Sequence, residues 1–357
     1  MIDWSGERTH VLLNPRMPSD ERERLERLAR AARLRSHIIV ATSGSSGGLK
    51  LVALSKEAVL ASAAAVNERL EATKSDVWCA VLPNFHVGGL GIYARAHLAG
   101  SRVVPMPWSA RAISDSHATL ASLVPAQVHD LIASGLRPPP RVRAILVGGG
   151  VFAPDLDAKA RELGWPVLAS YGMSECASTI AVREVLLSHL EARADEDGRL
   201  AFRGASLFTG YITEDGFNDP KVDGWFLSDD VGEVSGRTLR VHGRRGDFIK
   251  IGGESVDIAR LDRVLESVRG AVDAALIAVA DDRLGHVIHI AATGDADSIV
   301  ERFNAQVMPF ERIRGAHRVR SIPRSSLGKL LRAELARAVA QRSDDRESVQ
   351  QPERQRE

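Results

Sequence analysis

Cysteine is scarce. The chain has two, Cys79 and Cys176, both in apolar surroundings and in no CxxC or metal-ligand spacing. That excludes a disulfide framework and a thiolate metal site, and it points to two reduced, buried thiols in a cytoplasmic protein. Long apolar runs are also missing. None approaches the roughly 20 residues that a helix needs to cross a bilayer, so no membrane partner is expected. The opening stretch Met1-Ile2-Asp3-Trp4-Ser5-Gly6-Glu7 does not read as a secretory signal. Neither sign of charge is in excess: 47 Lys and Arg stand against 46 Asp and Glu, a net +1. This balance offers nucleic acid no electrostatic footprint. There is no internal repeat. At 357 residues the chain suffices for two domains or one large one.

What is present begins with Thr42-Ser43-Gly44-Ser45-Ser46-Gly47-Gly48-Leu49-Lys50. An apolar strand, His37 to Ala41, precedes it. A helix from about Ser55 to Leu70 is expected after it. Glycines let backbone N–H groups turn inward, hydroxyls add donors, and Lys50 adds a mobile cation, which together suit phosphate. The spacing is not that of a Walker A loop. An exposed Ser/Gly turn is the alternative reading.

Residues 1–18 read as irregular, and Ser19 as the cap of a charged helix. Farther on, strand Val77–Leu82 leads into Pro83-Asn84-Phe85-His86, placing His86 at a strand's carboxyl end, where ligands collect in α/β sheets. A helix over 91–99, a strand over 102–105, a short helix at Ala118-Thr119-Leu120 and a helix over 127–132 follow. Strand Val142–Val147 ends in Gly148-Gly149-Gly150. A helix over 154–163 and strand Val167–Ser170 lead to Tyr171-Gly172-Met173-Ser174-Glu175. The spacing Gly148-x-Gly150-x-x-Ala153 matches a loose dinucleotide fingerprint, but that match is weak alone and Pro154 makes an awkward helix start. In Tyr171–Glu175 an aromatic suits a base, a hydroxyl a phosphate and a carboxylate Mg²⁺, although a plain strand–helix turn has the same composition.

From about residue 198 the pattern changes to short strands and turns, including Gly224-Trp225-Phe226-Leu227-Ser228-Asp229-Asp230 and Gly243-Arg244-Arg245-Gly246-Asp247. The remainder alternates strands with helices over 258–268 and 297–306. The expected class is α/β: a large α/β domain with stacked sheets and helices plus a short β-rich segment (1–245), then a small, mobile α+β domain (246–340). A polar, disordered tail is expected over 341–357.

Six segments occur in order: TSGSSGGLK, LPNFH, YGMSE, GWFLSDD, GRRGDFIKIGGESV and PRSSLGKLLR. Together they resemble the signature motifs of the adenylate-forming superfamily of acyl- and aryl-CoA synthetases, peptide-synthetase adenylation domains and luciferase. Within it, the stretches around His86 and Tyr171 look most like o-succinylbenzoate–CoA ligases of menaquinone biosynthesis. The resemblance implies an AMP-forming acid–thiol ligase that uses ATP, Mg²⁺, coenzyme A and a small-molecule carboxylic acid, with a homodimer left open. It implies that Thr42, Ser43, Gly44, Ser45, Ser46, Gly47 and Lys50 cradle phosphates. Glu175 holds Mg²⁺, and Ser174 touches the α-phosphate. Tyr171 stacks on adenine beside Gly149, Gly150 and Gly172. Asp230 and Arg244 bind ribose, His86 lines the acyl pocket, and Lys329 bridges the α-phosphate and the attacking carboxylate from the small domain. Gly246 is the expected hinge, with Gly252 and Gly253 near the CoA channel.

Several positions depart from the pattern. Leu49 replaces a proline, and Asp229 puts a second carboxylate beside Asp230. Only about forty residues precede the phosphate loop, which implies a shortened N-terminal region. Two rival readings are an enzyme that loads a carrier-protein phosphopantetheine and a degenerate nucleotide-binding protein. Retention of Glu175, Asp230, Arg244 and Lys329 together argues against the second.

Overall fold

The computed structural model describes residues 2–43, 49–244, 248–251, 254–281, 284–324 and 330–348. The chain divides into two compact units, Met1–His242 and Gly243–Glu357.

The first unit is built on parallel strands Arg102–Pro105, Val77–Ala80, Leu120–Leu123, Ala144–Val147 and Val167–Met173, adjacent in that order. Successive side chains of a strand point to opposite faces, so short, mostly apolar strands supply two cores at once. Cys79, Ala121, Ile145 and Val147 pack on one side against Val128 and Leu131 of helix Pro125–Ala133 and Ala160 of helix Pro154–Glu162. Trp78, Leu120, Ala144 and Leu146 pack on the other, against Ala65 and Val66 of helix Lys56–Leu70 and Ile92 and Ala96 of helix Val87–Ala99. Pro154 sits in the first helical turn, where its missing N–H costs nothing. Antiparallel strands from Ser178–Val182 to Thr238–Arg244 extend this sheet to 11 strands.

A second sheet of five strands holds His10–Leu12, His37–Ser43, Leu49–Ser55, Gly210–Thr213 and Gly216–Asn218. One face (Ile38, Val40, Val52, Leu54) meets Val59, Ala63, Leu90 and Ala94 of the helices. The other (Ile39, Leu51, Ala53, Ile212) is covered by Leu25 and Ala29 of helix Ser19–Ala31.

In the second unit, strands Ala274–Asp281, Gly285–Ala292 and Ile313–Arg318 form a sheet. Helices Ile258–Val268 and Asp297–Asn304 pack on one face and Arg332–Ser348 on the other. Strands Phe248–Ile251 and Glu254–Asp257 pair antiparallel, and the Asp257 carboxylate caps the first helix through the Arg260 N–H at 2.9 Å.

Five readings need correction. The Thr42–Lys50 stretch does not run into a helix but joins two antiparallel strands, with Thr42 opposite Lys50. The run Leu51-Val52-Ala53-Leu54 forms the extra strand, and its end at Ser55 caps the helix through the Ala58 N–H at 3.0 Å. Leu120–Leu123 is a buried strand, not a helix, because it fills the gap between two parallel strands. His10–Leu12 is a short strand beside His37–Ser43 rather than irregular chain. Ser19 is the first helical residue and makes no cap hydrogen bond. The last helix continues to Ser348, through residues read as a polar tail; that segment contains neither Gly nor Pro to stop it.

Candidate active site

His86, Gly149, Gly150 and the Tyr171–Glu175 run gather at the carboxyl ends of the parallel strands, whereas Lys50, Asp230 and Arg244 lie on antiparallel strands. His86 ends the Val77–Ala80 connection as the N-cap position of helix Val87–Ala99, its ring 4.6 Å from that of Phe85. Gly89 is required there, since a Cβ would lie 2.1 Å from the Pro83 carbonyl oxygen. Gly149 and Gly150 follow strand Ala144–Val147 and are exposed. Gly149 has φ +78°, which a side chain would strain. Tyr171 and Gly172 lie within the next strand over, Val167–Met173. Gly172 runs so close to Ser178 that a Cβ would sit 1.8 Å from its carbonyl oxygen.

Ser174 and Glu175 occupy a single helical turn after that strand, both half-buried. The Glu175 carbonyl accepts from the Phe208 N–H at 2.8 Å, and its Oε1 accepts from the Tyr211 hydroxyl at 2.8 Å. Burial, reinforced by Glu175, pushes the Tyr211 phenol far up, so it remains a donor. The Lys50 ammonium stands 5.3 Å from the Tyr211 ring centroid, close enough for a cation–π contact. Oε2 of Glu175 takes no hydrogen bond among the described residues, so a carboxylate oxygen is available to a hard cation, as Mg²⁺ requires.

Asp230 is 8% exposed. Its Oδ2 accepts from the Tyr171 hydroxyl at 2.5 Å, and its N–H donates to Ser228 Oγ at 3.2 Å. Along strand Phe226–Ser235 burial alternates, so Asp229 faces outward, where Arg199 pairs with it at 3.4 Å. The second carboxylate is thus turned away from Asp230 and partly neutralised. Arg244 ends strand Thr238–Arg244 and is exposed. Gly44, Ser45, Ser46, Gly47, Gly246, Gly252, Gly253 and Lys329 lie outside the described residues, and Ser43 is placed as the last residue of its strand.

Sequence reasoning missed Arg95, on helix Val87–Ala99 two turns beyond His86. It is 2% exposed. Its guanidinium donates to Ser122 Oγ and Thr179 Oγ1, each at 3.1 Å, and lies 5.5 Å from the Trp78 ring. Among the described residues no carboxylate pairs with it and its Nε has no partner. Burial pushes its pKa down to about 10, leaving it charged at neutral pH. Thr179 pairs in register with Gly172, so this cation sits beneath the strand that leads to Glu175. The available signal was one arginine inside the apolar run Leu90-Gly91-Ile92-Tyr93-Ala94-Arg95-Ala96. Tyr211 was missed as well, because its meaning lies in contacts with residues far away in sequence.

Residues 29–204 match the AMP-binding enzyme family. A probable 2-succinylbenzoate–CoA ligase of Mycobacterium tuberculosis is 34% identical over 337 residues, covering 86% of this chain and 85% of that protein. The 2-succinylbenzoate–CoA ligase of Bacillus cereus is 28% identical, covering 84% and 70%. Among solved structures, o-succinylbenzoate coenzyme A synthetase from Bacillus subtilis with the acyl-adenylate OSB-AMP matches with TM-score 0.76 at 26% identity, over 84% of this chain and 68% of that one. The same enzyme with ATP and magnesium matches with TM-score 0.76 at 26% identity, over 84% and 69%. The stacked sheets, the strand-end cluster and these likenesses agree: the chain belongs to the adenylate-forming family of AMP-binding acid–CoA ligases.

Proposed function

We propose that the protein is a cytoplasmic ATP-dependent ligase that converts 2-succinylbenzoate to its coenzyme A thioester through an acyl-adenylate. One substrate carboxylate attacks the α-phosphorus of ATP, the α–β bridging P–O bond breaks, and pyrophosphate leaves. The thiol sulfur of coenzyme A then attacks the acyl carbon, and AMP leaves as the C–O bond breaks and the thiol proton goes to solvent.

In this reading the Thr42–Lys50 turn and Lys50 hold the β- and γ-phosphates, and Asp230 with Arg244 accept and donate to the ribose hydroxyls. Ser174 meets the α-phosphate, Tyr171 packs on adenine, and Lys329 steadies the attacking carboxylate. Glu175 would hold Mg²⁺, which when bound neutralises phosphate charge. His86 lines the acyl pocket. Among the described residues no helix is long and apolar enough to cross a membrane, which is compatible with the proposed compartment.

The observation that carries the substrate assignment is Arg95. A buried guanidinium held, among the described residues, only by neutral hydroxyls and an aromatic face carries a charge they do not compensate, a costly arrangement. An anionic substrate group offsets it. 2-Succinylbenzoate has two carboxylates; whichever is activated, the other stays ionised and matches a buried cation. The relatives named for that acid support the same choice.

The test is product analysis. Incubation with 2-succinylbenzoate, MgATP and coenzyme A should yield the thioester, AMP and pyrophosphate in equal amounts. Thioester formed only on a phosphopantetheinylated carrier protein, with coenzyme A ignored, would contradict the acceptor; no adenylate from the acid would contradict the substrate.

A further inference from the structure

We propose that Tyr211 is a positioning residue for the magnesium–nucleotide site: it holds Glu175 by its hydroxyl and Lys50 by its ring, and keeps the two apart. The inference rests on the reading of the protein as an ATP-dependent ligase.

Glu175 and Lys50 carry opposite charges and both border Tyr211. Without a nucleotide, their obvious fate is a salt bridge, which would tie up the carboxylate meant for a metal and the cation meant for phosphate. Neither side chain enters an ion pair among the described residues. Tyr211 engages both instead. Its phenol donates to Glu175 Oε1 and leaves Oε2 open. Its π face lies 5.3 Å from the Lys50 ammonium, which parks that cation at modest cost.

The chemistry of the side chain matters. A neutral donor orients a carboxylate without neutralising it, whereas an arginine or lysine there would compete with the metal. A phenylalanine would leave the carboxylate free to rotate.

The scaffold holds Tyr211 firmly. It lies on strand Gly210–Thr213, opposite Val52 in the strand that carries Lys50. Its ring meets Phe208 edge-on at 4.8 Å, and the Phe208 N–H binds the Glu175 carbonyl. Lys221 fixes the Phe208 and Thr209 carbonyls at 2.8 and 3.0 Å. One short segment, 208–211, therefore grips Glu175 by main chain and side chain together.

The experiment measures ATP binding by calorimetry at increasing Mg²⁺, and AMP binding without metal, in wild type, Tyr211→Phe and Tyr211→Leu; no acid substrate is needed. Tyr211→Phe keeps the ring and should raise the Mg²⁺ concentration for half-maximal ATP binding about 10-fold, the usual consequence of losing a group that orients a metal ligand. Its AMP affinity should stay within about 2-fold, since AMP needs neither Glu175 nor Lys50. Tyr211→Leu should also weaken ATP at saturating Mg²⁺, because Lys50 loses its parking face. An unchanged Mg²⁺ dependence in Tyr211→Phe overturns the inference, and so does an equal loss of AMP and MgATP binding, which marks packing alone. A wild type that binds no MgATP overturns the ligase reading itself.

Discussion

The Tyr171 hydroxyl donates to Oδ2 of Asp230, joining the residue proposed to pack on adenine to the residue proposed to bind ribose. That hydrogen bond helps hold the buried carboxylate in a fixed direction. A hydrogen bond to a charged group contributes about 1.5–3 kcal/mol. Asp230→Asn should therefore raise the KM for ATP by about 10- to 100-fold with a smaller change in coenzyme A use. Tyr171→Phe keeps the stacking face and should cost about 5-fold or less. Steady-state kinetics with ATP varied checks both, and an Asn variant with wild-type KM would remove Asp230 from the nucleotide site.

Gly172 is set by backbone proximity rather than by catalysis. With Ser178 O only 1.8 Å from where a Cβ would be, Gly172→Ala must push two paired strands apart. A loss of about 2–3 kcal/mol in unfolding free energy is expected, with weakened ATP binding as its companion. Denaturant titration measures the first and calorimetry the second. A variant as stable as wild type would mean the strand pair yields easily.

Acid should weaken the fold through half-buried histidines. Burial, together with the nearby Arg237 charge, lowers the His189 pKa to about 4 from 6.5. Burial and then the neighbouring His317 also lower that of His289, whose Nδ1 lies 2.8 Å from His317 Nε2. Between those values the unfolded chain binds protons that the folded chain does not. Stability is therefore full above about pH 6.5 and falls as pH drops toward 4, with His189 contributing at most about 3 kcal/mol. His189→Gln should flatten the fall of Tm between pH 7 and 5. An identical slope in the variant would contradict this. The Asp76 carboxylate, held low by Arg143 and Thr119 despite its burial, acts in a more acidic window and does not confuse the test.

Lys329 should separate the half-reactions. If it serves only the attack on ATP, Lys329→Ala should lose adenylation by about 10²–10³-fold and still convert supplied acyl-AMP and coenzyme A at near wild-type rate. Equal loss of both steps would sink that division of labour.

The strand-end cluster was legible because its residues come in short local runs: the glycines after Val147, His86 after a breaker, Tyr171–Glu175 in five consecutive positions. Helices Lys56–Leu70, Pro154–Glu162 and Ile258–Val268 fall close to where they were expected, although the Pro154 start read as awkward. Three strands were not legible, the three-residue His10–Leu12 among them. Leu51–Leu54 is a continuous apolar run, which carries no period to distinguish strand from helix. Leu120–Leu123 reads Leu-Ala-Ser-Leu, without the β-branched residues that mark a strand. Arg95 and Tyr211 were missed for another reason. An arginine or a tyrosine gains its role from what surrounds it in three dimensions, and only burial beside Ser122, Thr179 and Glu175 reveals it.

The most direct test of the central claim compares two acids in ATP–pyrophosphate exchange: 2-succinylbenzoate and the same keto acid without the ring carboxylate. Wild type should favour the dicarboxylate by about 10²-fold or more, the scale expected when a buried cation loses its anion. Arg95→Gln should erase most of that preference while leaving the KM for ATP within about 2-fold. Equal exchange with both acids in wild type, or an undiminished preference in Arg95→Gln, would contradict the account.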